Sequence, residues 1–161
     1  VLQHGHQDLA YDILGVGEYN PDAVRKGAND TYRESELADI EAIFAKPDQS
    51  HLTDFDLVPE ALRAATLSRG LERPRYETDG RFDRAIKWAD SHGTQRQQLV
   101  ARYEKAWTAI WWFDDIDASN AIYSEIEDDT LKTDDCFQLE KLGNLLSIMV
   151  GRERFEEDAA A

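Results

Sequence analysis

The segment 95–113 constrains the fold more than any other part of the chain, because it is apolar on two sides of a helix. Its apolar residues recur every three or four positions, which is the period of an α-helix. The first stripe consists of Leu99, Tyr103, Ala106, Ile110 and Phe113, and the second consists of Val100, Trp107 and Trp111. A helix with two apolar faces packs on more than one neighbour. We therefore predict a central helix over 95–113, capped at its start by Thr94.

The same period recurs along the chain, and Pro and Gly divide it into further helices. The predicted starts and ends are Thr31 to Lys46, Val58-Pro59 to Gly70, Asp79 to Gly93, and 135–155. No alternation of strands with helices is visible, which disfavours a parallel sheet. The predicted fold is all-α, a helical bundle of about five or six helices with a central Trp-rich helix.

The length of 161 residues suits one domain of ordinary size. The segment 71–80, LERPRYETDG, is polar and is interrupted by Pro74, which makes it the best candidate for a linker. We therefore predict a single helical domain over 1–161, and a break between subdomains, if there is one, falls within 71–80.

The charge balance excludes one class of ligand. The chain has 33 acidic and 18 basic residues, a formal net charge of −15 at pH 7, and a field of that sign repels phosphate backbones. We therefore expect no direct binding of nucleic acid. Four origins of the acidity stay open: adaptation to concentrated salt, a bias of the genome, an ordinary solvated surface, or a face that binds a basic partner.

Membranes and disulfides are also disfavoured. No apolar run approaches the ~20 residues that a membrane span requires, and the first residues, VLQHGHQDLA, do not resemble a secretory signal. The single cysteine, Cys136, rules out an intramolecular disulfide. We expect a protein of the cytoplasm or of a virion, without contact to a membrane.

Acidic residues are densest from Phe113 to Asp129, and part of this segment is similar to a calcium-binding loop. Asp115, Asp117 and Ser119 occupy the first, third and fifth positions of an EF-hand pattern, where oxygen ligands belong. The pattern departs where Asn120 replaces glycine and where Ile126 replaces the bidentate glutamate. These residues are the candidate site for a divalent cation, and no other cofactor is expected. The alternative role for these Asp residues is the capping of a helix end.

The segment LEKLGNLLSIMV, 139–150, resembles the second acidic motif of all-α nucleotide pyrophosphohydrolases of the MazG and dimeric dUTPase types. The resemblance covers about a dozen residues and implies that Glu140 binds magnesium together with Asp114 and Asp117, which would lie three residues apart on one helix face. Lys141 and Asn144 stand where this family usually has further acids. The other interpretation of the segment is an amphipathic helix of the core.

The tryptophans permit two interpretations. Trp107 and Trp111 are one turn apart and are expected to stack in the core, whereas Trp112 points off the main stripe and can anchor a protein partner. Phe55 and Tyr76, predicted in loops, can join such a patch. The candidate binding residues are Trp112, Asp114, Glu125, Glu127 and Asp128.

No complete catalytic constellation is visible, so a function without catalysis is favoured. The sequence predicts an acidic helical interaction or structural subunit of a larger viral or cellular assembly, with a protein partner or a second copy of itself. One alternative is an acidic inhibitor, of the immunity or DNA-mimic type, that blocks a basic partner. The other alternative is the magnesium-dependent nucleotide hydrolase.

Overall fold

The computed structural model describes residues 28–47 and 50–160, with side chains over 30–47 and 50–151. The apolar stretch 8–16 and the helix start that the sequence predicts at Asn20-Pro21 lie outside the described residues. The chain divides into two compact units, Val1–Ser50 and His51–Ala161, and each is described by itself. We call them unit 1 and unit 2.

The described residues form six helices and no strand, which confirms the predicted all-α bundle. Unit 1 contains α1, and unit 2 contains α2 to α6. The helices are α1 (Ala28–Ala45), α2 (Asp54–Gly70), α3 (Arg75–His92), α4 (Gln95–Phe113), α5 (Ile116–Thr130) and α6 (Cys136–Ala160). Among these helices, none has an apolar stretch long enough to cross a bilayer.

Helix α1 starts earlier than its sequence predicts. It begins at Ala28, so Thr31 lies within the helix and does not cap it. An ion pair between Asp30 and Arg33, with Oδ1 and Nη1 3.1 Å apart, stabilises the first turn. Leu37 and Ile40 are buried, as the helical period predicts. The helix ends at Ala45, close to the predicted end.

Helix α4 is the centre of unit 2, because it contacts all four of the other helices. Two faces of α4 enter different clusters, but the division is not that of the two predicted stripes, since Trp107 of the second stripe packs against the cluster of the first. On one side, α4 packs on α5 and α6 through Leu99, Tyr103, Ala106, Ile122, Ile126, Leu142 and Leu145. On the other side, Ala101 packs with Val58 of α2 and Ala89 of α3. The predicted bounds of α4 are correct, and Thr94 caps it through reciprocal hydrogen bonds with Gln97.

Helix α2 begins one turn before the position predicted from Pro59. Thr53 caps it, since its hydroxyl accepts from the Asp56 backbone N–H and the Asp56 carboxylate accepts from the Thr53 N–H. Pro59 therefore lies inside the first half of the helix. The predicted end is correct, since Gly70 is the last residue of α2.

The proposed linker is mostly helix. Only residues 71–74 connect α2 to α3, because α3 begins at Arg75, and Asp79 lies inside it and pairs with Arg75 rather than capping it. Glu72 takes a positive φ of 53° in this connection. Helices α2 and α3 pack against each other across the connection within unit 2. The boundary between unit 1 and unit 2 falls after Ser50, outside the segment 71–80. A single domain over 1–161 stays a prediction.

A buried arginine joins α2 to α4. Arg69 is 3% exposed, and its Nη1 donates to Glu104 Oε2 at 2.9 Å and to Thr108 Oγ1 at 3.0 Å. Its guanidinium also lies over the Trp112 ring, 4.6 Å from the centroid. Glu104 keeps partial access to water, with 21% of its side chain exposed. Removal of Glu104 therefore leaves a buried guanidinium without its carboxylate, whereas removal of Arg69 leaves a carboxylate that water can reach.

The variant Glu104→Gln is expected to cost more stability than Arg69→Met. Loss of the carboxylate strands a buried charge, at about 3 kcal/mol, whereas Met fills the space of Arg69 and leaves Glu104 within reach of water. Urea unfolding of both single variants and of the double variant measures the difference. Equal stability of Glu104→Gln and the parent protein would contradict this account.

The variant Gly93→Ala is expected to destabilise unit 2 by about 1–3 kcal/mol. A Cβ atom on Gly93 would lie 2.7 Å from the Ala89 carbonyl oxygen and 3.0 Å from the Ala89 Cα, and backbone atoms have little freedom to move. Gly80→Ala in α3 is the control, since its Cβ would meet nothing within 4 Å. That variant should gain up to about 1 kcal/mol of helix propensity. Thermal unfolding of both variants shows whether their midpoints move in opposite directions.

Candidate functional site

Unit 2 carries its excess negative charge in one segment. Unit 2 has 14 basic and 23 acidic residues, a net charge of −9, and residues 114–140 contain ten of the acids and a single basic residue, Lys132. We call residues 114–140 the acidic segment. The rest of unit 2 is balanced, with 13 residues of each sign. The charge therefore lies on α5, on the connections at its two ends and, at Glu140, on the start of α6.

Helix α5 separates its acids from its apolar residues. Ile122 and Ile126 are buried against α4 and α6, whereas Asp117, Glu125 and Asp128 are exposed on the outside. Among the residues predicted to bind, Glu127 accepts a hydrogen bond from the Tyr123 hydroxyl at 2.9 Å, and Asp114, Glu125 and Asp128 are exposed. The acidic surface is thus the solvent side of an edge helix.

Asp115 caps the start of α5. Its Oδ1 accepts from the Ala118 backbone N–H at 2.8 Å, and its Oδ2 accepts from Arg75 Nη2 at 2.5 Å. The backbone hydrogen bond, followed by the Arg75 guanidinium, lowers the pKa of the Asp115 carboxyl below its ordinary value. Asp114 ends α4 in the left-handed region, at φ 53° and ψ 37°. Asp114 and Asp117 therefore do not share a helix face, contrary to the prediction.

The three residues of the predicted cation loop have different surroundings. Both carboxylate oxygens of Asp115 accept hydrogen bonds from protein groups, and Asp117 is exposed. Ser119 is completely buried, with its hydroxyl 3.9 Å from the Met149 sulfur. Across the described residues, no group of three or more His, Cys, Asp or Glu side chains is placed to hold a metal ion. Asp115 acts instead as the helix cap that the alternative interpretation predicted.

The acids implied by the pyrophosphohydrolase resemblance do not converge. Burial, followed by the nearby charge of Glu104, raises the pKa of Tyr103 to about 12, whereas a hydrogen bond with Asn144 lowers it. Lys141, the residue after Glu140, has its Nζ 4.4 Å from the centroid of the Tyr103 ring, so this part of α6 lies beside the middle of α4. Tyr103 precedes Asp114 by eleven residues, which is about 16 Å along a helix. A shared magnesium ion would require distances of only a few ångströms.

Three aromatic residues end α4 and spread in different directions. The Trp107 and Trp111 rings are 5.9 Å apart and inclined by 44°, as one-turn spacing predicts. Trp111 is nevertheless 54% exposed, so the prediction that it lies in the core is wrong. Trp112 is 42% exposed on the side of Arg69. Both tryptophans therefore offer apolar surface to solvent at the last turn of α4.

Two further aromatic rings lie at the same end of unit 2. Arg75 lies over the Phe113 ring, 5.2 Å from its centroid, and Tyr76 follows it in the first turn of α3 as a highly exposed side chain. We call Tyr76, Trp111, Trp112 and Phe113 the aromatic end. Tyr76 and Phe55 are helical rather than in loops, and Phe55 lies in the first turn of α2.

The sequence did not reveal a polar cleft of about 350 Å³ where α4, α5 and α6 meet. Its floor contains the buried side chains of Leu99 and Ile126. Its polar lining consists of Gln95, Gln98, Arg102, Glu125, Asp129, Thr130 and Gln138. Glu125 was among the predicted binding residues. The remaining residues carry no motif, and only the register of the three helices brings them together.

Comparisons of the chain with protein-family models, with curated proteins and with solved structures found no match. The acidic segment, the aromatic end and the cleft are therefore the features of unit 2 from which a function can be inferred.

The variant Asp115→Asn is expected to make unfolding less sensitive to acid. The lowered pKa of Asp115 stabilises the fold above the ordinary value of 3.8, and this contribution is lost in the acid range as the pH falls through the lower folded-state value. Asn keeps an oxygen that caps the helix but has no proton to gain. Urea unfolding from neutral pH into this range measures both slopes. Identical slopes would rule out a contribution from Asp115.

Proposed function

We propose that this chain is a protein-binding subunit of a larger assembly, and that it docks a basic partner with the acidic segment and the aromatic end of unit 2. The observation that supports this proposal is their adjacency: α5 begins three residues after α4 ends with Trp111, Trp112 and Phe113. Exposed tryptophan next to a strongly charged rim is the composition of an interface centre and its surroundings.

The two parts of this surface have different roles in the proposal. Trp111 supplies affinity, because its ring is large, rigid and backed by Trp107. The acids supply attraction at a distance, since ten acids and one lysine in 27 residues produce a field that accelerates the approach of a basic partner. The balanced charge of the remainder of unit 2 orients that field toward α5.

Replacement of Trp111 with Ala is expected to weaken partner binding by about 30-fold, which corresponds to about 2 kcal/mol for an interface anchor. The partner is first captured with the immobilised full chain at near-native salt, identified by mass spectrometry and purified. Calorimetry with the purified partner then gives the affinity. Since Trp111 is more than half exposed, unfolding midpoints of the variant and the parent protein should agree closely.

Charge is tested with two matched double variants. Asp117→Asn with Asp128→Asn removes two acids of the acidic segment, and Asp54→Asn with Asp83→Asn removes two exposed acids elsewhere in unit 2. Asp54 and Asp117 both lie in the first turn of a helix, so the cost of losing a favourable helix-terminal charge is similar. Only the first pair should slow association and flatten its dependence on salt. Equal effects of both pairs, or an affinity insensitive to salt, would contradict the proposal.

An acidic inhibitor is the second candidate, favoured by the complete lack of basic residues in α5. Such a protein would occupy a cleft that otherwise holds nucleic acid. Competition separates the two functions. An inhibitor displaces duplex DNA or RNA from the captured partner, whereas an assembly subunit binds the partner without affecting its nucleic-acid binding.

A further inference from the structure

Three aromatic rings along α4 form a column that ends at the surface. Tyr103, Trp107 and Trp111 follow one another at intervals of four residues, and we call them the aromatic column. The ring centroids of Tyr103 and Trp107 are 5.7 Å apart, and those of Trp107 and Trp111 are 5.9 Å apart. Tyr103 is buried, whereas Trp111 is more than half exposed. The column therefore runs from the core of unit 2 to open solvent.

The two ends of the column differ in their contact with cations. At the buried end, the Lys141 Nζ lies 4.4 Å from the centroid of the Tyr103 ring, where the charge density of the ring attracts an ammonium. At the exposed end, no Arg or Lys side chain of residues 30–47 and 50–151 lies over the Trp111 ring. The exposed ring of the column is therefore open to a cation from outside the described chain.

The two rings that follow Trp111 in the sequence are already paired with arginines of unit 2. Arg69 lies over the Trp112 ring, 4.6 Å from its centroid, and Arg75 lies over the Phe113 ring at 5.2 Å. Carboxylates hold both guanidinium groups in place. A second cation on the other face of either ring would be repelled by the first. Trp111 is thus the indole of the aromatic end that can accept a further cation.

We propose that Trp111 accepts the guanidinium of an arginine of the basic partner over its exposed indole face. This inference rests on the proposed function, because it names the chemical group of the partner that meets the aromatic end. Indole attracts cations more strongly than the other aromatic side chains, and a guanidinium is more weakly hydrated than an ammonium. Tyr76 is also exposed, but its phenol ring is a weaker cation acceptor.

The surroundings of Trp111 favour a positively charged group. Asp114 and Asp117 follow it by three and six residues, and both are exposed. Their charges attract a cationic side chain to this end of unit 2. Contact with Trp107 restricts the Trp111 ring, so that less side-chain freedom is lost when the partner binds. The acids therefore act at a distance, and the ring acts at contact.

The test compares Phe with Leu at position 111, because the two side chains are similarly apolar and only Phe has an aromatic face. The full-length variants Trp111→Phe and Trp111→Leu are titrated with hexa-arginine in a calorimeter. Attraction of the peptide to the acidic segment is the same in both variants, so their difference measures the ring. Trp111→Phe should bind about fivefold more tightly than Trp111→Leu.

The matched controls are Trp112→Phe and Trp112→Leu, since Trp112 is the next residue, is also exposed and already has Arg69 over its ring. These two variants should bind hexa-arginine equally. The indole Nε1–H resonance of Trp111, assigned by its loss in Trp111→Phe, should shift when hexa-arginine is added to the parent protein. Unfolding midpoints of all four variants establish that each is folded at the temperature of the titration.

Equal affinities of Trp111→Phe and Trp111→Leu for hexa-arginine would overturn the proposal, because apolar contact alone would then account for the ring. The same Phe–Leu difference at position 112 would also overturn it, since the effect would not be specific to Trp111.

The purified partner separates this inference from the proposed function. If the partner loses affinity for Trp111→Ala but binds Trp111→Phe and Trp111→Leu equally, the docking surface is correct and the arginine contact is wrong. If no partner is captured while hexa-arginine distinguishes Phe from Leu at position 111, the proposed function fails and the recognition of guanidinium by Trp111 is supported.

Discussion

The fold of unit 2 depends on α4, because apolar residues on two sides of this helix must be buried by its neighbours. Leu99, Tyr103 and Ala106 face α5 and α6, and Ala101 faces α2 and α3, so this helix is the shared wall of two clusters. Burial of apolar surface on both faces is a main source of favourable free energy for the bundle. The neighbours of α4 are then free to carry polar outer faces, since each needs only one apolar face toward the centre.

This arrangement places balanced charges and excess negative charge on different helices of the bundle. Helices α2 and α3 have nearly balanced charges, and Arg69 ties α2 to α4 through a pair with Glu104 and a contact with Trp112. Helix α5 carries acids without basic residues among them, a state that repulsion disfavours unless solvent or a partner compensates it. The concentration of charge on an edge helix costs less than it would at the centre, because water surrounds most of the carboxylates.

The sequence predicted what depends on local signals. The cap at Thr94 and the helical period over 95–113 are local, and both were predicted correctly. The start of α2 was missed because Pro59 suggested a first helical position, although Thr53 and Asp56 have the spacing of a capping box. A proline tolerated one turn inside a helix has no distinctive sequence signature.

The candidate site depends on backbone conformation and on helix packing, and the spacing of residues in the sequence determines neither. The left-handed backbone of Asp114 separates it from Asp117, although the pyrophosphohydrolase resemblance required both on one helix face. The exposure of Trp111 depends on which helices pack beside the last turn of α4, and the pattern of α4 does not contain that information. The cleft is formed by side chains from three helices, so its lining follows from packing register and from no motif.

All four tryptophans of the chain lie in unit 2, which gives their distribution an optical consequence. Trp88 is partly buried beside His92, with ring centroids 5.1 Å apart, whereas Trp111 and Trp112 meet water at the aromatic end. Indole fluorescence shifts to shorter wavelength when water leaves the ring. The native emission spectrum is thus a label-free reporter of unit 2, with its long-wavelength component arising at the surface where we place the partner.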